Sequence, residues 1–431
     1  MKSAEYTVPG LHVIEHEVEV PLDWAAPEGP GITVFARELV APHRRREDLP
    51  LVLFLQGGPG GASPRPLDAS GWIRVLLERY RVVLLDQRGT GRSTPVDAAR
   101  MASMTAEDGA AHLACFRADS IVRDAEHLRT AVYGGRRWTT LGQSYGGWIT
   151  LEYLSSAPEG LAACMVTGGL PALRPDAADL YRRTYPRALA KNLRFERRYP
   201  GDVETVSRIA DLLAAEDVRL PDGDRFTVRR FQFMGSRFGM QHGFEELHWA
   251  LDTAFGSDGG LSDAFLAEAL DHTSFAVNPL WAALQEAAEY TDDTSGATRW
   301  AAQAEHDRHP EFAETARPLR FTGEMFFPWM FEEIRLLRPF GPAVDLLQRR
   351  EEWPRRYDLP RLAANEVPVA AAVYFDDLYV DADLQRETAA AIGNVTTWVT
   401  DEWEHDGIGA SGGEVVRHLL RLLDERGGAL A

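Results

Sequence analysis

An extended run that ends in Gly142-Gln143-Ser144-Tyr145-Gly146-Gly147 leaves a chain few options for what to build next. The pattern G-x-S-x-G between an extended stretch and a helix-like one is a nucleophile elbow, a strand-turn-helix corner that presents a serine hydroxyl to a cleft. The glycines have a steric task. The serine takes a strained backbone conformation, and only small neighbours let strand and helix approach this closely. A buried strand must feed the corner, and a helix must pack back on the sheet that contains it.

The rest of the chain supplies that sheet. Two alternating runs around His12-Val13-Ile14 and Ile32-Thr33-Val34-Phe35 read as an antiparallel pair. Pro50-Leu51-Val52-Leu53-Phe54-Leu55 and Arg81-Val82-Val83-Leu84-Leu85 are continuously apolar, as strands covered on both faces are. Helix-like stretches near 71–79 and 117–132 separate these runs from the strand that leads to Ser144. Ala163-Cys164-Met165-Val166-Thr167 follows the elbow helix. Strand and helix alternate, which predicts an α/β chain with a mostly parallel, doubly wound sheet. From about Pro175 to Pro354 the strand pattern stops, and Arg, Glu, Ala, Trp and Phe recur at helical spacing. Strands return at Val367–Phe375 and Val395–Val399, and an amphipathic helix closes the chain near 412–425. The expected division is a core of 1–172 and 355–431 interrupted, before the last two strands, by a mainly helical cap over 173–354.

Bulk properties narrow the function classes. The 431 residues carry 65 acidic and 46 basic side chains, a net charge of −19. Such a surface repels nucleic acid and anionic membrane, so neither is an expected partner. Cys115 and Cys164 alone support no disulfide framework and no cysteine-rich zinc site. Neither an apolar leader nor a run of membrane-spanning length is present, and a cytoplasmic location is the default expectation.

Ligands of open parallel sheets gather at the carboxyl ends of the strands, where the glycine-rich and polar clusters that follow these strands fall. On sheets with such an elbow, an acid and then a histidine follow the serine along the chain. Only His405 and His418 lie beyond the 367–375 run. His418 sits in an amphipathic helix, whereas His405, in Trp403-Glu404-His405-Asp406-Gly407, hangs in a loop after the last strand, where a general base belongs. Asp376 and Asp377 both end the preceding strand, and either can orient the imidazole. The backbone N–H of Tyr145 and one from Gly57-Gly58-Pro59-Gly60, with Gly58 best placed, are the candidate oxyanion donors. That loop is a poor phosphate cradle, because Pro59 has no N–H and no Gly-Lys-Ser/Thr follows. Asp86-Gln87-Arg88-Gly89-Thr90-Gly91-Arg92-Ser93 reads as a charged turn bracing the cleft. A dinucleotide site is disfavoured, since no G-x-G-x-x-G follows the first parallel strand.

With these segments the chain resembles the proline iminopeptidases (prolyl aminopeptidases), serine peptidases of the α/β-hydrolase fold. The resemblance rests on Gln56–Gly61, Asp86–Ser93, Gly142–Gly147 and the Asp377/His405 region. It implies Asp377 rather than Asp376 as the acid, because family members follow the acid with a hydrophobic residue, here Leu378. It implies peptides with an N-terminal proline as substrates, and neither cofactor nor metal. It also implies glutamates in the cap that meet the substrate ammonium beside an apolar pocket. Glu324, in Phe321-Thr322-Gly323-Glu324-Met325-Phe326-Phe327-Pro328-Trp329, and Glu286 are the leading candidates, with Phe326, Phe327 and Trp329 for the ring; Glu245 and Glu246 are lesser ones. Gln56 is a departure, standing where the family loop usually begins with His. An esterase, lactonase or amidase with the same triad and a different cap pocket is the alternative, followed by a catalytically silent binding protein.

Overall fold

The continuously apolar runs become adjacent strands of one sheet. The computed structural model describes residues 2–425. The strands are β1 (Lys2–Val8), β2 (Leu11–Pro21), β3 (Gly31–Val40), β4 (Leu51–Leu55), β5 (Arg81–Asp86), β6 (Trp138–Gln143), β7 (Leu161–Thr167), β8 (Val369–Tyr374) and β9 (Val395–Thr400). They lie in the order β1-β2-β3-β5-β4-β6-β7-β8-β9. The pairs β1–β2, β2–β3 and β3–β5 are antiparallel, and every pair from β5 to β9 is parallel. β1 is absent from the sequence reading. Its residues are mostly exposed on the sheet edge, so no alternation of buried side chains marks it.

Strand period 2 explains why these runs are apolar throughout. Val52, Phe54, Val82, Leu84, Met165, Ala370 and Ala372 pack on one face with the helices Gly71–Leu77 and Glu414–Glu425. Their neighbours Leu51, Leu53, Leu55, Val83, Leu85, Cys164, Val166 and Ala371 pack on the other, with the helices Ala118–Tyr133 and Tyr145–Ser156. Each such large side chain contributes about 1.5–3 kcal/mol when withdrawn from water. Tyr145–Ser155 are buried all round, so the elbow helix lies inside the molecule.

Between β7 and β8 the chain forms helices from Ala177–Arg198 to Leu359–Ala363. Their core residues, among them Tyr185, Phe231, Phe326 and Phe340, belong to the same apolar cluster as the upper face of the sheet. This helical layer reaches the loops at the carboxyl ends of β8 and β9, where Arg187 donates to the Asp377 carbonyl and the Gly239 carbonyl accepts from His405 N–H. Among the described residues no helix is long and apolar enough to cross a membrane.

Candidate active site

The elbow adopts the backbone its sequence demands. Ser144 leaves β6 at φ 54°, ψ −122°, a region that a residue with a Cβ occupies only when its surroundings enforce it. Its N–H donates to the Thr167 carbonyl (3.0 Å), and its carbonyl accepts from Gly147 N–H (2.7 Å). A methyl group on Gly146 would run into the Leu55 carbonyl, and one on Gly147 into the Gly169 carbonyl. These glycines let the helix rest directly on backbone. As the first helical residue, Tyr145 has a backbone N–H with no intrahelical acceptor.

Across the cleft, Tyr374 of β8 pairs with Thr400 of β9, so the loops carrying Asp377 and His405 start level. His405 Nδ1 lies 2.8 Å from Asp377 Oδ2. The other carboxylate oxygen accepts from the N–H groups of Tyr379 (2.8 Å) and Val380 (3.0 Å). Asp377 is fully buried and His405 is 4% exposed. Burial alone would lower the imidazolium pKa, but Asp377, with Glu324 and Asp406 further off, outweighs it and the net shift is upward. Asp376 is half exposed and paired with Arg194 at 2.6 Å. His418 stacks on Trp398 on the outer helix. The Gly168-Gly169 turn ties acid to elbow, since a Cβ on Gly168 would lie 3.2 Å from Asp377 Oδ2 and one on Gly169 3.2 Å from Ser144 Cα.

Helical-layer residues hold the histidine loop in place. His405 N–H donates to the Gly239 carbonyl (3.0 Å), Gln241 bonds with Glu404 and Asp406, and Lys191 pairs with Glu404. Tyr379 packs its ring 4.6 Å from that of His405 and donates its hydroxyl to the Ser236 carbonyl.

Ser144 opens into a cavity of about 260 Å³, walled on the core side by Gly58, Pro59, Tyr145, Trp148 and Val380. Gly58 has φ 124°, which a glycine tolerates and other residues do not, and a Cβ on Gly57 would sit 3.0 Å from Ser144 Cβ. Gln56 shapes this loop by accepting from Gly57 N–H (3.0 Å) and donating to the Ala62 carbonyl (3.3 Å). The charged turn is a brace, as read from sequence. Arg88, fully buried, binds both oxygens of Asp124, and Asp86 accepts from Arg65, Ser63 N–H and Arg92 N–H.

Comparison with known proteins places this arrangement. Residues 50–220 match the model of the alpha/beta hydrolase fold family. A proline iminopeptidase of Aeromonas sobria is 42% identical over 419 residues, covering 97% of this chain and 98% of the relative. The chain belongs to the proline iminopeptidase family. The proline iminopeptidase aneH of Aspergillus aculeatus is 32% identical over 425 residues, covering 96% of this chain and 94% of that one.

The helical side of the cavity distributes the glutamates expected of this family unevenly. Glu324 lines it, 9% exposed, and accepts from Trp281 Nε1 at 2.9 Å. Burial pushes its pKa up to about 8, against the opposing pull of His405 and the hydrogen bonds from Gln285 and Trp281. Glu286 is not brought to the cavity. It accepts from the backbone N–H groups of Ala301 (2.7 Å) and Ala302 (3.2 Å), closing the start of the helix Ala301–His306, and burial pushes it up to about 7. Glu289, which sequence reasoning missed, lines the cavity with Gln285 and Tyr290, accepting from the Tyr145 hydroxyl (2.9 Å) and Arg356 (2.6 Å). Trp281, Gln285 and Glu289 recur every fourth residue, a stripe legible in the sequence. A single π-turn over Gln285–Glu289 then sets which residues face inward.

Of the aromatic candidates, Phe326 is buried against Trp281, with ring centroids 5.3 Å apart. Phe327 and Trp329 stack on each other and line a separate hollow of about 370 Å³ beside Arg229. Glu245 pairs with Arg198 and Tyr199 on the far side of the layer. Among the described residues, no group of three or more His, Cys, Asp and Glu side chains is placed to hold a metal ion.

Proposed function

We propose that this chain is a serine aminopeptidase releasing N-terminal proline from peptides, with residues 173–354 as the cap that sets its specificity. The observation that carries the proposal is the pair of buried carboxylates, Glu324 and Glu289, facing the cavity into which Ser144 opens. An ester or lactone site has no use for two acids there. An amino-terminal ammonium does, because a buried carboxylate is stable only with a cation beside it. Burial keeps Glu324 protonated up to about pH 8, and the substrate ammonium supplies the countercharge that lets it ionise. Glu289 already has Arg356 and the Tyr145 hydroxyl and acts as a fixed acceptor.

In the proposed sequence, Ser144 Oγ attacks the prolyl carbonyl carbon as His405 Nε2 takes the hydroxyl proton. The Tyr145 and Gly58 N–H groups receive the oxyanion, and Asp377 holds the imidazole tautomer and stabilises the imidazolium. The C–N bond breaks as His405 protonates the departing amine. A water, deprotonated by His405, then releases proline and restores Ser144.

A panel of prolyl, alanyl and leucyl arylamides beside short acyl esters tests the reading. Prolyl-arylamide turnover should dominate, and Ser144→Ala should abolish both turnover and fluorophosphonate labelling. Faster turnover of the acyl esters would refute the aminopeptidase assignment.

A further inference from the structure

The cavity at Ser144 shares two aromatic side chains with a neighbouring hollow. Trp148 and Tyr290 line it and also line a second hollow of about 400 Å³. The outer wall of that hollow is the linker that follows β7, including Pro171 and Arg174. Two larger depressions, about 690 and 790 Å³, open beyond it, and Arg174 lines both as well as the hollow. The helical layer is fastened to the His405 loop through Gly239, Gln241 and Lys191, and to Asp381 through Arg183 and Arg187.

Charge on this side is arranged asymmetrically. Acidic residues rim the depressions, and apart from Glu387 they are already engaged. Asp179 pairs with Arg182 and Arg183, and Asp293 faces Arg355 at 3.4 Å. Asp292 accepts from the N–H groups of Thr294 and Ser295 within its own turn. Arg183 and Arg355 are thereby neutralised. Arg174 is exposed and, among the described residues, makes neither an ion pair nor a hydrogen bond. It is a free cation set in an acidic rim, lining the hollow next to the cavity that holds two carboxylates.

We infer that Arg174 binds the C-terminal carboxylate of a short peptide whose first residue occupies the Ser144 cavity and whose chain passes between Trp148 and Tyr290. This rests on the aminopeptidase reading and adds a polarity to it. The acidic rim favours the amino terminus over the carboxylate on this side. Arg174, which has no acidic partner among the described residues, is the group left to take the trailing carboxylate, and its planar guanidinium can hold it bidentately. Short peptides with a free carboxylate are then the favoured substrates, ahead of long or C-terminally blocked ones.

The test uses Pro-Ala to Pro-Ala-Ala-Ala-Ala, each as free acid and as C-terminal amide, and reads the acid-to-amide ratio of kcat/KM. In the wild-type enzyme the ratio should peak at one length, at about five- to tenfold. Arg174→Ala should bring it to about one, Arg174→Glu should invert it, and Arg174→Lys should keep most of it. A ratio near one at every length in the wild type, or a ratio unchanged in Arg174→Ala, overturns the carboxylate site and leaves the aminopeptidase reading intact. A wild-type enzyme that cleaves neither acids nor amides removes both.

Discussion

Replacing Asp377 by asparagine should cost far more than its volume suggests. The side chain is fully buried, and its two oxygens face different partners: Oδ2 meets His405 Nδ1 at 2.8 Å, and Oδ1 accepts two backbone N–H groups, from Tyr379 and Val380. An asparagine must keep its carbonyl oxygen toward those two donors, since its NH₂ there would set donor against donor at a cost of about 1–3 kcal/mol for each buried group left unpaired. The NH₂ is then forced toward His405 Nδ1, which must become an acceptor, and the ring proton moves to Nε2. A histidine in that tautomer cannot take the Ser144 proton. The expected loss in kcat is about 10,000-fold, equivalent to about 5.5 kcal/mol of transition-state stabilisation. Asp376→Asn disturbs only a half-exposed pair with Arg194, worth about 0.2–1 kcal/mol, and should leave kcat within about twofold. Prolyl-arylamide turnover by both variants, with circular dichroism to confirm folding, decides the matter. A folded Asp377→Asn enzyme within tenfold of wild type, or a larger loss in Asp376→Asn, would refute the reasoning.

Glu324 gives the folded chain an additional bound proton between about pH 4.5, where an ordinary glutamic acid ionises, and about pH 8. Stability should therefore fall as pH rises through that window, with a slope approaching about 1.4 kcal/mol per pH unit, and Glu324→Gln should flatten it. Parallel melting profiles for wild type and variant from pH 5 to 8.5 would contradict this. Glu286→Ala leaves the Ala301 and Ala302 N–H groups unpaired and should destabilise by about 1–3 kcal/mol for each donor, with KM for prolyl-arylamide within about twofold; Glu324→Ala should raise that KM at least tenfold. The opposite pattern in steady-state kinetics would move substrate recognition to Glu286. Gly147→Ala drives a methyl group into the Gly169 carbonyl and should cost about 3 kcal/mol or more, read as a lowered melting temperature; a variant as stable as wild type would show that the elbow tolerates backbone displacement.

The sheet was legible because burial on both faces leaves no position for a polar residue, so β4, β5, β7 and β8 stand out as apolar runs. β1 was not, because an exposed edge strand needs only backbone partners and imposes no pattern on its side chains. Chain order left His405 and His418, and the loop setting of His405 chose between them. At Asp376-Asp377 sequence logic left two options, since adjacent residues at a strand end diverge and only coordinates show which one turns inward. The helical layer was the hardest part. Glu286 and Glu289 differ by three positions on one helix, and the π-turn at Gln285–Glu289 determines which of them reaches the cavity. An aromatic stretch such as Phe326-Phe327-Pro328-Trp329 likewise gives no sign that Phe326 packs beside Trp281 while Phe327 and Trp329 face another hollow.

The attachment of the histidine loop to Gly239, Gln241 and Lys191 has a consequence for enzyme design. On many scaffolds the specificity-bearing segment can be regarded as an exchangeable part set over a finished catalytic machine. Here His405, the proposed general base, takes its position from the very helices that would be exchanged. A chimera that imports a foreign segment between β7 and β8 would inherit the serine and the acid but not an aligned imidazole, unless the stretch around 234–241 travels with the recipient core. Substrate range and proton transfer are thus linked through a handful of backbone and side-chain hydrogen bonds, and the two properties should diverge slowly under any selection that alters only one of them.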